Sequence, residues 1–319
     1  MNAPELDPIT RAALEEQAQR LRETWTRTRD AVRAAPAASS AYARLADLAA
    51  AYAGMATRVG RADRARDLVG DALAALRTAC MADRSDPARH VAFARTLELA
   101  AACEAGRNEP NAAFDALRAA IATVGRFAPT LRDPDADPLL RLAIGTTLLR
   151  SMSAAGRMVA DPKQRLDGLK QEWEESRRWA RTARGAADHP VAVEAAVTAA
   201  FALAVEEYED SAGDCLERCE RLRPHIDALT RTRGDDAVVR MHRVAFTRLT
   251  ADAWMRLGDL GEAGVLLTEA GRHLDAAAAR PDHDARAVAE QRRRLDAQRA
   301  ELDERRARGT GTRRTSAAS

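Results

Sequence analysis

The sequence predicts an all-α protein built from about five antiparallel helix pairs, with a capping helix at each end. Three observations predict it. First, hydrophobic residues make up 46% of the 319, but aromatics only 4%, and the apolar share is mostly Ala and Leu. Ala, Leu, Arg and Glu lose little side-chain freedom in a helix. Second, no segment alternates Val, Ile, Thr and aromatics with the period of two that a strand needs. Third, Pro, Gly and Asp-Pro breakers divide the chain into helix-length segments joined by short turns. The charged residues, 50 basic and 48 acidic, are interspersed and give a net charge of +2. No basic excess points to nucleic acid or to an anionic membrane.

The elements follow from the breakers. Asp7-Pro8 opens a helix to about Ala35 that Pro36 closes, since Asp caps and Pro suits the first helical turn. Ser39 and Ser40 cap a second, to about Val59, and Gly60 ends it. A third covers about 62–82. Asp86-Pro87 opens a helix ending near Gly106, and Pro110 one ending near Gly125. The stretch from Phe127 to Asp137 holds Pro129 and Pro134 and reads as a long loop. Asp137-Pro138 opens a helix to about Gly156, Asp161-Pro162 one to about Arg184, and Asp188-His189-Pro190 one to about Glu209. Ser211 begins a helix interrupted at Pro224. Asp235 or Asp236 caps a helix ending at Leu257. Gly258 to Gly261 is a tight turn into a helix ending near Ala279. A last helix covers about 282–308.

The pairs repeat. In the last unit Ala251 and Trp254 precede Leu257-Gly258-Asp259-Leu260-Gly261-Glu262-Ala263, and Leu267 and Ala270 follow. Spacings of four and three put Ala263, Leu267 and Ala270 on one face. Tyr52, Ala53 and Ala56 before Gly60, with Ala65, Val69 and Ala72 after it, echo this unit. So do Leu99 and Ala102 before Gly106, with Ala113, Leu117 and Ala120 beyond. Ala212, Leu216 and Cys219 after Glu207 form a further echo. The turn marks at 60, 106, 156, 207 and 258 are 46, 50, 51 and 51 residues apart. On the turn from Leu257 to Ala263, with Leu267, Ala270, Ala251, Trp254 and Pro224, the chain resembles the tetratricopeptide-repeat family. The resemblance implies a right-handed α-α superhelix, a solenoid whose ligands lie in a concave groove lined by the first helix of each pair. Its step near 50 departs from the usual repeat of about 34 residues.

The resulting organisation is a capping helix in 1–38, a repeat domain in 39–280, a charged capping helix in 281–308 and a disordered basic tail in 309–319. Solenoid ends need polar-faced caps. Val288, Leu295 and Leu302 stand seven apart, which also fits a short coiled-coil seam and hence a homodimer; an edge-packed cap is the preferred reading. The tail carries Arg313 and Arg314 and no acid, and reads as solvated rather than as a nucleic-acid contact.

No catalytic residues, cofactor site or metal site are expected. Phosphate-loop, dinucleotide and nucleophile-elbow motifs are absent, as is an H-E-x-x-H pair. Cys215 and Cys219 share a helix four apart with His225 beyond, but lack a second ligand pair and read as packing thiols. Asp133, Asp135 and Asp137 read as capping and solubilising residues rather than a cation loop. The run from Glu206 to Asp210 places acids at a helix C-terminus, where the helix dipole opposes them. Four sparse cysteines, no apolar leader and no uncharged apolar stretch of about 20 residues lead to the expectation of a cytoplasmic chain with no membrane span.

The helical register places Asp47, Arg58, Glu104, Arg150, Glu194, Arg248, Asp252 and Arg256 in the groove. Arg248, Asp252, Met255 and Arg256 form the leading cluster; ordinary surface charge, with an i,i+4 pair between Arg248 and Asp252, is the competing reading. The expected function is a non-catalytic scaffold that binds a protein or peptide segment. The alternative is a regulatory sensor of a small molecule or peptide acting through a partner; an all-α enzyme is third.

Overall fold

The computed structural model describes the backbone of residues 8–34, 40–58 and 62–316. Asp7, Pro36, Ser39, Gly60 and the Arg58 side chain lie outside the described residues. The described residues are 87% helix and contain no strand. The α-helices are α1 (Pro8–Ala34), α2 (Ser40–Arg58), α3 (Ala62–Ala82), α4 (Pro87–Gly106), α5 (Pro110–Gly125), α6 (Pro138–Gly156), α7 (Pro162–Thr182), α8 (His189–Asp210), α9 (Ala212–Arg233), α10 (Ala237–Leu257), α11 (Leu260–Ala278) and α12 (Ala285–Ser316).

The caps work as the Asp-Pro pattern implies. Asp86 accepts from the Ala88 amide at 2.9 Å, Asp137 from Leu139 at 3.1 Å and Asp161 from Lys163 at 3.0 Å. Each satisfies one of the amides that a helix start leaves unpaired. Gly258 ends α10 with φ 87°, the left-handed conformation that glycine adopts without a Cβ clash. Asn108 does the same work after α4 at φ 62°.

Three expectations are corrected. Pro224 does not interrupt its helix: α9 continues through it to Arg233, because Leu222, Ile226 and Leu229 bury both flanking turns on one face. The expected loop after Phe127 contains a 3-10 helix, Ala128–Arg132, with Leu131 fully buried. The last helix does not stop at 308 but runs to Ser316. In addition, His189–Tyr208 of α8 is long and apolar enough to cross a membrane, which the sequence reading did not register. In the fold that surface packs: Ala192, Val193, Ala196, Val197, Ala200, Leu203 and Ala204 are buried.

The described residues form two compact units, Met1–Arg165 with Arg181–Asp188, and Leu166–Ala180 with His189–Ser319. In the first, consecutive helices α1 to α6 pack in sequence, and α4 also touches both α2 and α6. Its main core joins Trp25 and Val32 of α1, Leu45, Ala49 and Tyr52 of α2, and Leu68, Val69, Ala72 and Leu76 of α3. Small residues at 65, 72 and 79 let the helices approach closely. In the second unit α8 packs on α9, α9 on α10, α10 on α11 and α11 on α12, while α10 also touches α8 and α12. The arrangement is repeat-like in both: the first helix of a pair meets the first helix of the next.

Val288, Leu295 and Leu302 of α12 are buried in a core shared with Val244, Ala251 and Met255 of α10 and with Ala263, Leu267, Ala270 and Leu274 of α11. The heptad seam is therefore filled within the chain. Glycine placement explains the close approach. Arg306 donates to the Leu260 carbonyl at 2.8 Å and Arg299 to the Leu267 carbonyl at 3.3 Å. Gly264 and Gly271 stand four residues after those carbonyls. A Cβ on either would lie 2.4 Å from the guanidinium.

The most deeply buried charge pair among the described residues lies within the first unit and ties α6 to Asp188, in its 181–188 segment. Arg141 and Asp188 are each only 1% exposed. Two guanidinium nitrogens donate to the two Asp188 oxygens at 3.1 Å, and Nη1 donates to the carbonyls of Asp133 and Pro134 at 2.9 Å. The aspartate-rich loop thus serves as a backbone acceptor for Arg141, a role its side-chain pattern does not announce.

Candidate partner-binding face

Four of the residues assigned to the groove meet a partner on the helix one step away along the chain. Asp47 of α2 pairs with Arg95 of α4 at 3.5 Å. Glu98 of α4 accepts from Arg150 Nε at 2.8 Å and from Ser151 Oγ at 2.6 Å, both on α6. Glu194 of α8 faces His242 Nε2 of α10 at 3.9 Å. Arg248 Nε of α10 donates to Gln298 Oε1 of α12 at 2.6 Å. The partners stand 48, 52, 48 and 50 residues apart. The step that spaces the turns also spaces these contacts, because stacked equivalent helices bring equivalent positions together. Glu104 is an exception: it bonds Arg66 of α3 at 3.0 Å and Arg107 at 3.2 Å.

The leading cluster does not form an open site. Met255 is 2% exposed and belongs to the core. Arg248 is half-buried and also donates to Gln291 Oε1 at 2.6 Å; loss of water lowers its pKa. Asp252 has its carboxyl raised above the usual aspartate range by burial, against a hydrogen bond from Gln298. Gln298 therefore serves both Arg248 and Asp252, in place of a direct i,i+4 ion pair. Arg256 is exposed, but its guanidinium lies 4.6 Å from the Tyr208 ring centroid and donates to the Tyr208 carbonyl. Glu194 also pairs with Arg233 of α9. Its carboxyl is held below the usual glutamate range by the His242 imidazole, and further by Arg233, against the opposing effect of burial.

The acidic end of α8 is neutralised by later helices. Arg218 of α9 grips Glu207 through two bonds of 2.8 and 2.9 Å, while its guanidinium lies 4.7 Å from the Trp173 ring centroid. Arg256 supplies a cation to the carbonyls of the final turn. Arg305 repeats that device one step later, donating to the Met255 carbonyl near the end of α10 at 2.8 Å. Cations at a helix C-terminus interact favourably with its dipole. Gln291, Gln298 and Arg305 escaped the sequence reading; the 50-residue offsets from Arg248 to Gln298 and from Met255 to Arg305 are the signal that could have found the latter two.

Cys215 and Cys219 are both buried, among Ala204, Leu249 and Ala253. The Cys215 thiol is pushed up by its bond with Cys219 and by burial. Burial pulls the His225 imidazole down, with Arg177 adding to the effect. Among the described residues no three His, Cys, Asp or Glu side chains lie close enough together to hold a metal ion.

The fold resembles BtubC (BKLC) from P. vanneervenii. Its crystal structure superposes with a TM-score of 0.55, at 15% identity, over 86% of this chain and 96% of that one. At that identity the likeness is one of fold alone. No family model matches the chain, and no curated protein matches it in sequence.

Proposed function

We propose that this chain is a non-catalytic scaffold whose tetratricopeptide-like helix pairs bind a protein or peptide segment along their first helices. The observation that carries this reading is a charged row in the first unit. Asp47 on α2, Arg95 on α4 and Arg150 on α6 keep side-chain exposures of 62, 45 and 57%. They sit on three successive first helices, of which the middle one, α4, touches both others. Such a row presents one acid and two bases to an extended segment at intervals set by helix spacing, which favours specificity and association rate over bulk affinity. The repeat-like packing and the fold likeness support the same reading.

The cluster at Arg248 and Arg256 is a poor place to test it, since both arginines hold internal acceptors and charge reversal would disturb the fold. The better test puts a photo-crosslinking residue at Arg95 or at Arg150, with Arg118 on α5 as control. Crosslinks to one same partner segment from 95 and 150, and none from 118, are the expected result. Equal crosslinking from all three positions, or none, would overturn the assignment of the face.

A further inference from the structure

One feature left without a role is a cavity of about 360 Å³ among α1, α2 and α3. Its wall is made by Arg22, Trp25, Thr26 and Arg29 of α1, Tyr52 of α2, and Asp67, Leu68 and Asp71 of α3. The four α1 residues fall at i, i+3, i+4 and i+7, one helical face. That volume lies in the range of small-ligand pockets.

The polar groups around it are unevenly satisfied. Arg29 is engaged: it pairs with Asp30 at 3.0 Å and Asp71 at 3.4 Å, and its guanidinium lies 4.9 Å from the Trp25 ring centroid. Trp25 is 3% exposed, yet its Nε1–H has no hydrogen-bond partner among the described residues. Buried donors of this kind are rare in folded proteins and ask for an explanation. Nor does the Arg22 guanidinium meet an acid among the described residues, and Asp67 meets no cation there. The cavity therefore combines a buried neutral donor, an unclaimed cation at its edge, an unclaimed carboxylate, and an apolar wall from Trp25, Tyr52 and Leu68.

We propose that this pocket binds the α-carboxylate of a free amino acid or of a short peptide C-terminus that carries an apolar side chain. The ligand carboxylate accepts from Trp25 Nε1–H and from Arg22, and the side chain packs on the Trp25, Tyr52 and Leu68 wall. A carboxylate is the acceptor that suits both donors at once, because it offers two oxygens and takes charge-assisted bonds from a guanidinium. Asp67 faces the ammonium group of a free amino acid and has no role toward a peptide C-terminus. The site lies apart from the charged row on the first helices and does not depend on that reading.

The test titrates the full chain with leucine, N-acetylleucine, leucinamide and alanyl-alanyl-leucine, following tryptophan fluorescence and heat. Both N-acetylleucine and at least one of leucine and the tripeptide should bind saturably, and leucinamide should not. Arg22→Gln, a change at an exposed position, should weaken binding by at least about tenfold, the factor one charge-assisted bond supplies. Trp25→Phe, read by calorimetry, should do the same while the far-ultraviolet dichroism stays unchanged. Asp67→Asn should weaken leucine alone, and tighter binding of the tripeptide would assign the site to peptide C-termini. Leucinamide binding as tightly as the acids, an Arg22→Gln protein that binds as well as the parent, or no saturable response to any probe would overturn the proposal.

Discussion

Removing the Asp188 carboxylate should be the most damaging single change of charge in the chain. In Asp188→Ala the Arg141 guanidinium keeps its two carbonyl acceptors, from Asp133 and Pro134, but loses both charged bonds at 3.1 Å. With 1% exposure it cannot recover them from water. Breaking a buried pair from one side costs about 3–5 kcal/mol, because the remaining charge is uncompensated. For a unit of this size each kcal/mol lowers Tm by roughly 2–4 °C, so a fall on the order of 10 °C is expected. Replacing both members, as Arg141→Met with Asp188→Ala, removes the stranded charge and should recover part of that loss. The double variant does leave the two loop carbonyls without their donor, which costs about 1–3 kcal/mol each where they stay dry. Calorimetric melting of the parent, both single variants and the double variant closes the cycle. A loss below about 1 kcal/mol in Asp188→Ala, or strictly additive losses in the double variant, would refute the account of a desolvated and mutually dependent pair.

Further predictions follow from the same geometry. Gly70→Ala on α3, where nothing lies within 4 Å of the added Cβ, should gain about 0.5–1 kcal/mol, whereas Gly271→Ala should show no such gain because it pushes Arg299 away from the Leu267 carbonyl; urea denaturation compares the two. Gly258→Ala should lose roughly 1 kcal/mol from its left-handed backbone, read in the same experiment. Glu194 has a depressed carboxyl, so its contribution is present above the ordinary glutamate range and lost as pH falls through its folded value. Glu194→Gln should therefore cost at most about 1 kcal/mol at pH 7, discounted for its partial exposure, and nothing at a pH where the parent carboxyl is protonated. Asp252 has a raised carboxyl, so the sign reverses. Its burial is tolerated best in the protonated form, and stability falls as pH rises through its folded value. Asp252→Asn should flatten that fall, measured as Tm between pH 4 and 7.

By itself the sequence determined the helical class, most helix boundaries, and a step near 50 residues. These are local matters: Asp-Pro starts, a glycine stop at 258 and small-residue faces act within one or two turns, so they are visible in a linear reading. The same locality explains its errors. Pro224 reads as a break because the missing amide is a local fact, whereas the burial of Leu222, Ile226 and Leu229 that carries α9 past it is not. Helical register put Asp47, Arg150, Glu194 and Arg248 on the first helices, but could not show that each finds its partner on a neighbouring helix. Met255 looked like a groove residue for the same reason: only α11 and α12 make its position a core one. Likewise, Val288, Leu295 and Leu302 allowed a seam with a second copy until α10 and α11 filled it. The tertiary structure alone decided which charges are spent inside the fold and which, such as Arg22, are not. Desolvation and pairing depend on what comes together across about 50 residues of chain, and no short-range pattern carries that.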